Sequence, residues 1–589
     1  VTLPGRKEQK LSEAASAIYV LSNEDIRRSG VTHVAEALRL VPGVNVARIS
    51  SNKWAISVRG FNQVFANKLL VLIDGVSIFS PTTNGVYWES NEIDLDDVDR
   101  IEVIRGPGAA LWGSNAVNGV INIVTKDSSE TQGLRLKVGT GTHERGFVKA
   151  RYGGKIDAGT HYRVYSLGHR RTENRLASNG EGAEDDWESY SGGFRLDSNI
   201  TNKDKITLEG DLGYQSDFFF PTPPSLDPPF SDPVTYTGNG HYHDLRTLLN
   251  WTRRISDRSS FESRVSYSRK DRGTKLATFT YDILNFEAQH RVRVAEAHDL
   301  VYGGGYRYFY NRTIDSAAQE VFPASRKTDL FSGYIQDEIT LIPDELKIIL
   351  GTKFEQSQQV DSKFMPNGRV IWNLKDDLTF WGAVSNAIAP PAVFFEDSSI
   401  PVAAFPATEE VPLPGVVSVV GSRDLDVEDL IAYELGIRTS PAENWSVDFS
   451  GFYNQYDNIY SLANGVPAPG FSRLGNRPAL VIPIWLQNNL SAESYGGEIA
   501  SELKVSEELR VILAYSYLKI DVNEDDEGNK ELAEDGSPQH QVSIRSLFNI
   551  TENWELDGNL RYIDRVPYVD VSDYFELNLR LGWKFAQNM

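Results

Sequence analysis

Most of this chain, from about Leu134 onward, alternates apolar and polar residues with a period of two. Segment 574–585 is the clearest case, because its large apolar residues share one face while charged and amide residues occupy the other. The same alternation occurs in 554–562 and 431–438. A period of two is that of a β-strand whose two faces meet different surroundings. Several of these segments exceed about ten residues, whereas the strands of soluble sheets average about 5 to 6.

The linkers between these segments alternate in length, and reading along the chain gives roughly 20 strands. Short turns follow the even-numbered strands, at 256–259, 342–345, 374–377, 440–444 and 549–553. Long linkers follow the odd-numbered strands, at 221–240, 316–326, 391–429, 463–480 and 523–536. Membrane barrels have this asymmetry between their two ends, whereas a soluble sandwich or propeller has no reason to keep that phase. The pattern therefore predicts a mainly β protein with a large transmembrane antiparallel β-barrel over residues 131–589.

The composition excludes several classes of function. The chain has no cysteine, so it contains neither disulfides nor thiol chemistry. Its formal charge of -22 argues against a nucleic-acid partner, because phosphate binding needs a basic surface. No apolar run reaches the roughly 18 residues of a transmembrane helix, although barrel strands leave average hydropathy low and need no such run.

The first 127 residues differ in kind and predict a small α+β domain. Three short apolar runs, at 69–73, 101–104 and 120–124, are bounded by Gly, Pro, Asn or Asp, which is typical of buried strands joined by tight turns. The segment 22–25 fits a capping box for a helix that Gly30 ends, and Thr32 is a candidate cap for the next helix. We expect turns with positive or fixed φ at Asp74, Gly75, Gly106, Pro107, Gly108 and Gly113. The predicted division is an N-terminal extension at 1–20, this domain at 21–130 and the barrel at 131–589.

Several motifs of the first domain, taken together, resemble one family. They are SNEDIRRSG, VAEALRLVPGV, VRGF, VLIDG and IEVIRGPGAALWGSNAVNGVINIVTK, and the long alternating region follows them. The chain resembles the TonB-dependent outer-membrane receptors over its whole length. The resemblance implies an N-terminal plug domain inside the lumen of a barrel of about 22 strands. About 20 strands are counted here, so we expect the C-terminal strands of the family to be missing, and VTLPGRKEQKL shows no TonB box.

The resemblance also implies a function and a location. Members import a scarce, bulky nutrient across the Gram-negative outer membrane, usually a ferric siderophore and sometimes cobalamin, with energy from the inner-membrane proton gradient through TonB. The expected partners are TonB, outer-membrane lipid and lipopolysaccharide, and a small-molecule metal chelate that is cargo, with no cofactor. The chain is expected to be a monomer. A passive porin-like barrel with a vestigial plug is the alternative.

Four charged residues are candidates for a lock between plug and barrel. Arg59 and Arg105 each precede a glycine in the plug, and Glu434 and Glu498 fall on the charged, lumen-facing side of their strands by the period-two count. The resemblance makes these four the Arg–Glu cluster that fastens the plug to the wall. An arginine fork binds a carboxylate well in a partly dry site. The alternative is that each is an ordinary solvated charge in a polar lumen.

Ligand contacts are expected from the apical loops of the plug and from the long outer loops. The candidates are Phe61, Asn62, Gln63, Tyr87, Trp88, Phe219, Phe220, Phe394 and Phe395. Aromatic rings beside polar groups suit a planar, amphipathic ligand. For the phenylalanines, packing within the loops or an outer aromatic girdle is the alternative.

The sequence offers little evidence for a metal site or for catalysis. His241 and His243 share a strand face, but no third ligand is evident. The acidic run at 523–528 lacks EF-hand spacing, so a solvated loop is the simpler interpretation. No nucleophile elbow, zinc-protease motif or paired catalytic set stands out, and an outer-membrane lipase would need a Ser/His/acid set at the lipid interface. We expect a transport protein and not an enzyme.

Overall fold

The computed structural model describes residues 1–176, 179–217, 224, 240–273, 278–315, 319–472, 477–523 and 527–585. A small mixed domain, called the plug below, precedes a large β-barrel. The plug strands are β1 (Ala17–Ser22), β2 (Val44–Arg48), β3 (Trp54–Val58), β4 (Leu69–Ile73), β5 (Val76–Ser77), β6 (Val98–Arg105) and β7 (Gly119–Thr125). Its α-helices are α1 (Asn23–Ser29), α2 (Val34–Ala37) and α3 (Ala109–Trp112), and its 3-10 turns are Leu11–Glu13, Leu38–Leu40, Trp88–Ser90, Leu95–Asp97 and Ser128–Glu130.

The three apolar runs of the sequence form the centre of the plug sheet. This sheet has the order β1-β6-β7-β4-β5, and β2 and β3 form a separate hairpin. Every residue of β4 is buried, which explains why this strand is apolar throughout and does not alternate. Asp74 and Gly75 join β4 to β5 with φ of 49° and 76°, the conformation of a two-residue hairpin turn with both φ values positive.

Helix α1 forms as the sequence predicts, but the next helix is capped differently. Ser22 and Asp25 make a reciprocal capping box, and Gly30 ends the helix with φ of 76°. The cap of α2 is His33 and not Thr32, because the Nδ1 atom of His33 accepts a hydrogen bond of 3.1 Å from the main-chain N–H of Ala35. An imidazole nitrogen here accepts the N-cap hydrogen bond that a side-chain oxygen usually accepts.

The first twenty residues are not a separate extension, so the predicted boundary at residue 20 is wrong in the structure. Strand β1 pairs antiparallel with β6 at the edge of the plug sheet. Further upstream, the main-chain N–H groups of Thr2 and Leu3 donate to the carboxylate of Glu102, and Leu3 is fully buried. The polar composition of this segment concealed its position, because its charged side chains find partners on the barrel wall.

The barrel strands alternate with the linkers that were predicted from the sequence. The first half consists of β8 (Gly133–Gly139), β9 (Glu144–Lys155), β10 (Thr160–Arg171), β11 (Trp187–Asn199), β12 (Asp204–Asp217), β13 (Gly240–Ser256), β14 (Ser259–Gly273), β15 (Thr278–Ala295), β16 (His298–Ile314), β17 (Glu320–Val321), β18 (Ser325–Ile342), β19 (Leu346–Gln356) and β20 (Lys363–Lys375). The second half consists of β21 (Leu378–Ala389), β22 (Ser398–Phe405), β23 (Gly415–Val420), β24 (Glu428–Ala442), β25 (Trp445–Asn464), β26 (Ala468–Ser472), β27 (Arg477–Lys504), β28 (Leu509–Val522), β29 (His540–Thr551), β30 (Trp554–Ile563) and β31 (Tyr574–Trp583). Helices α4 (Val393–Asp397) and α5 (Glu527–Glu534) and the 3-10 turn Pro567–Val569 lie in linkers.

In the described part of the chain, twenty strands form the wall, and the strands β17, β22, β23 and β26 belong to the linkers. Each wall strand pairs antiparallel with the next, and the sheet is a closed barrel in which β31 lies next to β8. Both of those strands are largely exposed on both faces. Among the described residues, no helix combines the length and the apolar character needed to cross a membrane.

The predicted alternation of linkers is present in the barrel. Two-residue turns at 257–258, 376–377 and 443–444 lie at one end, called the short-turn end, and the linkers 172–186 and 390–427 lie at the other, called the long-loop end. The predicted facing also holds in β24, where Leu435 is 58 % exposed on the outside and Glu434 is buried inside. An apolar outer face and a charged inner face are what a barrel in lipid requires.

The plug fills the barrel with a defined orientation. Its N-terminal residues lie at the short-turn end, where the Nζ atom of Lys7 is 2.9 Å from Asp299 in the second residue position of β16. Its apical loops lie at the long-loop end, where the main-chain N–H of Ser51 donates to Asp185 in the linker 172–186. The interface between plug and wall is therefore the place to look for a functional site.

Candidate functional site

The segment after β3 holds Arg59 in an unusual backbone conformation. Arg59, Gly60 and Phe61 have φ of 54°, 97° and 53°, three consecutive left-handed residues. This region is costly for residues with a Cβ, and such strain concentrates at functional sites. The side chain of Arg59 is only 1 % exposed, between the plug and strands β24 and β27 of the wall.

The four lock candidates of the sequence lie together in one ion-pair network. The Nη1 atom of Arg59 donates a hydrogen bond of 2.8 Å to Oε1 of Glu434. The Nε atom of Arg59 is 3.5 Å from Oε1 of Glu498, and Nη1 of Arg105 is 3.1 Å from Oε2 of Glu498. The guanidinium of Arg59 also lies 4.1 Å from the ring centre of Phe452. Burial opposes the charge of Arg59, but Glu498 and Glu434 outweigh it and raise the pKa of Arg59 above its ordinary value.

Glycines occur in the plug where a side chain would occupy the space of a carboxylate on the wall. Gly106 has φ of 127°, and a Cβ there would collide with the carboxylate of Glu434 and the guanidinium of Arg59. Gly113 has φ of 88°, and a Cβ there would collide with the carboxylate of Glu355. These two positions match the predicted need for positive φ. Both glycines let the plug main chain approach the wall closely.

The other two residues of the predicted turn are explained by packing. Gly108 has φ of -118°, so backbone conformation does not require glycine there. A Cβ at Gly108 would lie 2.6 Å from the side chain of Val120, which leaves no room for one. The carbonyl of Pro107 accepts a hydrogen bond of 2.9 Å from Arg369 on the wall, so the turn is also fastened to the barrel.

Further ion pairs surround the plug, and none of them was predicted from the sequence. Their partners are hundreds of residues apart, so no local motif marks them. Those between plug and wall with separations of 2.6 to 2.8 Å include Arg6–Glu287, Lys7–Glu338, Arg27–Glu555, Arg28–Asp557 and Lys68–Glu428. The plug is thus held to the wall by charge pairs around its perimeter, and not at one lock alone.

A second buried cluster joins the plug to β10. The Nε2 atom of His33 is 3.2 Å from Oε1 of Glu92, and Nε2 of His169 on the wall is 3.8 Å from the same oxygen. The ring of His33 stacks on Trp54 with centroids 4.3 Å apart. Burial opposes the ionisation of Glu92, but His169 and His33 outweigh it and hold the pKa of Glu92 well below its ordinary value.

Three of the predicted ligand residues lie at the long-loop end of the plug with part of their surface free. Phe61 is half-buried, and its ring centre lies 4.8 Å from that of Tyr456 and 4.8 Å from the Nζ atom of Lys68. Asn62 is half-buried, with a side-chain oxygen that is buried and has no hydrogen-bond partner, and Gln63 is exposed. These residues form the candidate ligand surface.

The structure places Tyr87 and Trp88 differently from the sequence expectation of an open apical loop. Both side chains are buried. The guanidinium of Arg272 on the wall lies 3.7 Å from the ring centre of Tyr87, and Phe65 packs on the ring at 4.9 Å. Arg272 of the wall therefore covers the ring of Tyr87, Trp88 is part of the buried core, and a solute at the long-loop end does not reach either ring in this structure.

The aromatic candidates of the outer loops pack against protein. The ring centre of Phe394 lies 5.6 Å from that of Phe279, and that of Phe395 lies 5.3 Å from that of Tyr460. This is the loop-packing alternative that the sequence left open. Phe219 and Phe220 lie outside the described residues.

The metal candidates of the sequence do not form a site. His241 and His243 are exposed with ring centres 5.6 Å apart. Within the described ranges, no group of three or more His, Asp or Glu residues is placed to hold a metal ion. Residues 524–526 of the acidic run at 523–528 lie outside the described residues.

Comparisons with known proteins match both parts of the chain. The model of the TonB-dependent Receptor Plug Domain matches residues 10–120, and the model described as TonB dependent receptor-like, beta-barrel, matches residues 139–589. The iron-regulated outer membrane virulence protein of Vibrio cholerae serotype O1 (strain El Tor Inaba N16961) is 24% identical over an alignment of 574 residues that covers 94% of this chain and 81% of that protein. The vitamin B12 transporter BtuB of Vibrio vulnificus is 36% identical over 144 residues, 24% of this chain and 23% of that protein. The crystal structure of the siderophore receptor PirA from Acinetobacter baumannii shares the fold with a TM-score of 0.78 and 16% identity, covering 97% of this chain and 92% of that one.

Proposed function

Because the chain belongs to the TonB-dependent receptor family of the Gram-negative outer membrane, we propose that it imports a ferric siderophore across that membrane. The observation that carries the proposal is a plug fastened inside the barrel by buried ion pairs, with a free apical surface at Phe61, Asn62 and Gln63. The family consists of receptors and not enzymes, and it depends on TonB for energy. The cargo is an iron chelate, and the protein itself holds no cofactor in this proposal.

The space around the plug supports active and not passive transport. Two cavities between plug and wall have volumes of about 70 and 90 Å³, and a third, of about 330 Å³, lies at the short-turn end beside Leu11 and Asp376. Pockets that hold drug-sized organic molecules are about 300 to 1,000 Å³, so the two smaller cavities are too small for a siderophore, and the third lies away from the long-loop end where a ligand would arrive. Transport then requires the plug to move or to rearrange. Such a change must come from a state that ligand and TonB favour over the resting one.

The character of the interface is compatible with such movement. Ion pairs form one part of the contact between plug and wall, alongside shared apolar clusters, and each charged partner would meet water in the lumen if the plug shifted. A charge that becomes hydrated regains its solvation, whereas a broken apolar core exposes surface at about 25 cal/mol per Å². Such ion pairs stabilise the resting position of the plug and can still be broken when TonB pulls on it.

The outer surface fits the proposed ligand class. In this family the long-loop end faces the outside, where Phe61 is followed directly by the amide residues Asn62 and Gln63. An aromatic ring next to polar groups suits an amphipathic chelate with a planar part. The relatives named above include an iron-regulated outer membrane protein and a siderophore receptor, which supports iron as the metal.

Cobalamin is the second candidate cargo. The observation that favours it is the 36% identity to the vitamin B12 transporter, which is higher than the 24% identity to the iron-regulated protein. That match spans only 24% of this chain, whereas the iron-regulated protein matches over 94%. Ferric siderophores therefore remain the first candidate. In either case we propose a monomer whose outer face contacts lipid and lipopolysaccharide.

The test is a binding and uptake panel. Purified protein is titrated with ferric catecholate and hydroxamate siderophores, with their metal-free forms and with cobalamin, and uptake is measured in cells with and without TonB. We expect at least one iron chelate to bind below micromolar concentration and its uptake to need TonB. Binding of cobalamin alone would transfer the assignment to cobalamin. Absence of binding to every chelate, with spontaneous solute flux in liposome swelling, would favour a passive pore.

A further inference from the structure

The longest linker, 390–427, is bonded directly to the plug. Three hydrogen bonds join the two: the N–H of Val393 to the carbonyl of Pro81 (3.1 Å), the N–H of Phe394 to the carbonyl of Thr82 (3.1 Å), and the side-chain amide of Asn84 to the carbonyl of Pro390 (2.7 Å). The side chain of Val393 is fully buried among aromatic residues of plug and wall. The main chain of a surface loop is usually hydrated, so these main-chain hydrogen bonds to the plug distinguish this linker from an ordinary surface loop.

The wall and the base of the loop hold helix α4 in this position. Arg326 of β18 lies 2.7 Å from Glu396 and 3.2 Å from Asp397, and Arg423 lies 2.8 Å from Asp397. Gln359 donates a hydrogen bond of 2.6 Å to Glu396. The carboxylates of Glu396 and Asp397 are buried, so each depends on these partners. A helix of five residues does not persist alone, and these contacts maintain it.

Helix α4 continues without a break into an outer sheet. It ends at Asp397, and β22 begins at Ser398. Strand β22 pairs with β17 on one side and β23 on the other, and β23 pairs in parallel with residues 480–485 of β27. This outer sheet connects separate regions of the long-loop end. A displacement of the sheet is therefore a displacement of α4.

On the plug side, the contact leads inward through Asn115. The side-chain amide of Asn115 donates to the carbonyl of Asn67 at 3.0 Å and lies 3.3 Å from the side-chain oxygen of Asn84. The main-chain N–H of Asn115 donates to the carbonyl of Ile388 at the end of β21. The plug loop that α4 binds is thus tied to the segment that carries Lys68 and its ion pair with Glu428.

We propose that α4 is a coupling element that transmits a change in the outer sheet to the plug through residues 81–84. This inference rests on the proposed function only in taking the long-loop end as the side where a ligand arrives. Phe394 and Phe395 then act as positioning residues that keep α4 seated, and not as ligand contacts. The competing interpretation is that α4 merely packs in the barrel mouth without moving the plug.

The first experiment needs no ligand and tests the coupling itself. Amide hydrogen exchange is measured in Arg326→Gln and in wild type, with Arg312→Gln, an exposed arginine near the end of β16, as the matched control. Loss of a hydrogen bond to a charged group commonly changes an opening equilibrium by about tenfold or more. We expect exchange to accelerate by about that factor in peptides covering both 393–397 and 79–88. Acceleration in 393–397 alone would overturn the proposal, whatever the cargo is.

The second experiment asks whether the contact must change during transport. The chain has no cysteine, so Thr82→Cys with Phe394→Cys introduces a unique pair that a short, reducible bismaleimide can link. For a chelate that the unlinked double variant takes up, we expect the linked protein to bind it within about threefold of the unlinked one. Uptake should fall at least about tenfold and recover when the linker is reduced. Unchanged uptake in the linked protein would contradict coupling through α4, whereas absence of binding in both forms would count against the proposed function only.

Discussion

Arg59 in the left-handed turn of the plug donates a hydrogen bond of 2.8 Å to Glu434 on the barrel wall, and both side chains are almost wholly buried. The two residues are 375 positions apart, so this bond joins the two domains of the chain. Both charges are shielded from solvent in the resting structure. Any state in which Arg59 leaves Glu434 without hydration or another carboxylate is therefore costly.

Arg59→Ala should weaken the attachment of the plug by about 3–5 kcal/mol, because it leaves Glu434 buried and uncompensated. Denaturant unfolding of the plug in detergent measures the change, with Lys363→Ala as a control. Lys363 lies 3.7 Å from Asp426 and is partly exposed, so its loss should cost at most about 1 kcal/mol. The double variant with Glu434→Gln should fall short of the sum of the two single effects. Additive effects would show that the two residues do not interact.

Gly106→Ala should disturb the same network without removing a charge. Its φ of 127° already disfavours a side chain, and the added Cβ would meet the carboxylate of Glu434. Gly133→Ala is the matched control, since Gly133 has φ of 85° but no atom within 4 Å of an added Cβ. Backbone strain alone costs on the order of 1 kcal/mol, so Gly106→Ala should exceed its control by a clear margin. The comparison is the apparent melting temperature of each variant, and equal shifts would exclude the clash.

Much of the architecture follows from the sequence, because a period of two and an alternation of linker lengths are local properties of a chain. The apolar outer face of β24, with Leu435 outside and Glu434 inside, was predictable from facing alone. The partners that a charged plug residue finds on the barrel wall were not predictable. Lys7 looks like a solvated charge in a polar N-terminus, yet its partners Asp299 and Glu338 lie on strands that no local pattern connects to it.

In the candidate site too, some features could be predicted from the sequence and others could not. The plug glycines that face the wall could be predicted as turn residues from the sequence. The carboxylate of Glu434, which leaves no room for a side chain at Gly106, could not be predicted as the cause. Tyr87 and Phe394 were predicted as ligand contacts from the nature of their rings. Arg272 covers Tyr87 and Phe279 packs on Phe394, so tertiary contacts decide their exposure. Aromatic character in a loop does not separate a ring that binds a ligand from a ring that seats the loop.

The cluster around Glu92 predicts a pH dependence. The pKa of Glu92 in the folded protein lies below its ordinary value of 4.5, so the ionised carboxylate stabilises the fold above pH 4.5. This contribution is lost progressively as the pH falls from 4.5 towards the lowered pKa. His33, His169 and Arg171 are the groups that face this carboxylate. Glu92→Gln should lower the melting temperature at pH 7, and its difference from wild type should shrink below about pH 4.5. The exposed Glu8→Gln should show neither effect. A difference that is constant with pH would assign the effect to packing.

The N-terminal segment offers a prediction about the end of the plug on which TonB is expected to act. The carboxylate of Glu102 accepts hydrogen bonds from the N–H groups of Thr2 and Leu3, and Leu3 is fully buried. Glu102→Ala removes both acceptors and leaves the two main-chain donors unpaired, so residues 1–10 should detach more often. Trypsin reports this directly, since Arg6, Lys7 and Lys10 are cleavage sites within the segment. We expect cleavage there to accelerate by about tenfold, with the barrel remaining intact.

Glu24→Ala is the matched control, because Glu24 is 60 % exposed in α1 and contacts Arg28 at 3.6 Å. Its loss should leave the rate of cleavage at residues 6–10 unchanged. If Glu102→Ala also left the rate unchanged, then the ion pairs of Arg6 and Lys7 with the wall would be sufficient to hold the segment. Release would in that case begin at the barrel wall and not at β6, and pulling on the N-terminus would have to break those pairs before it could reach the plug sheet.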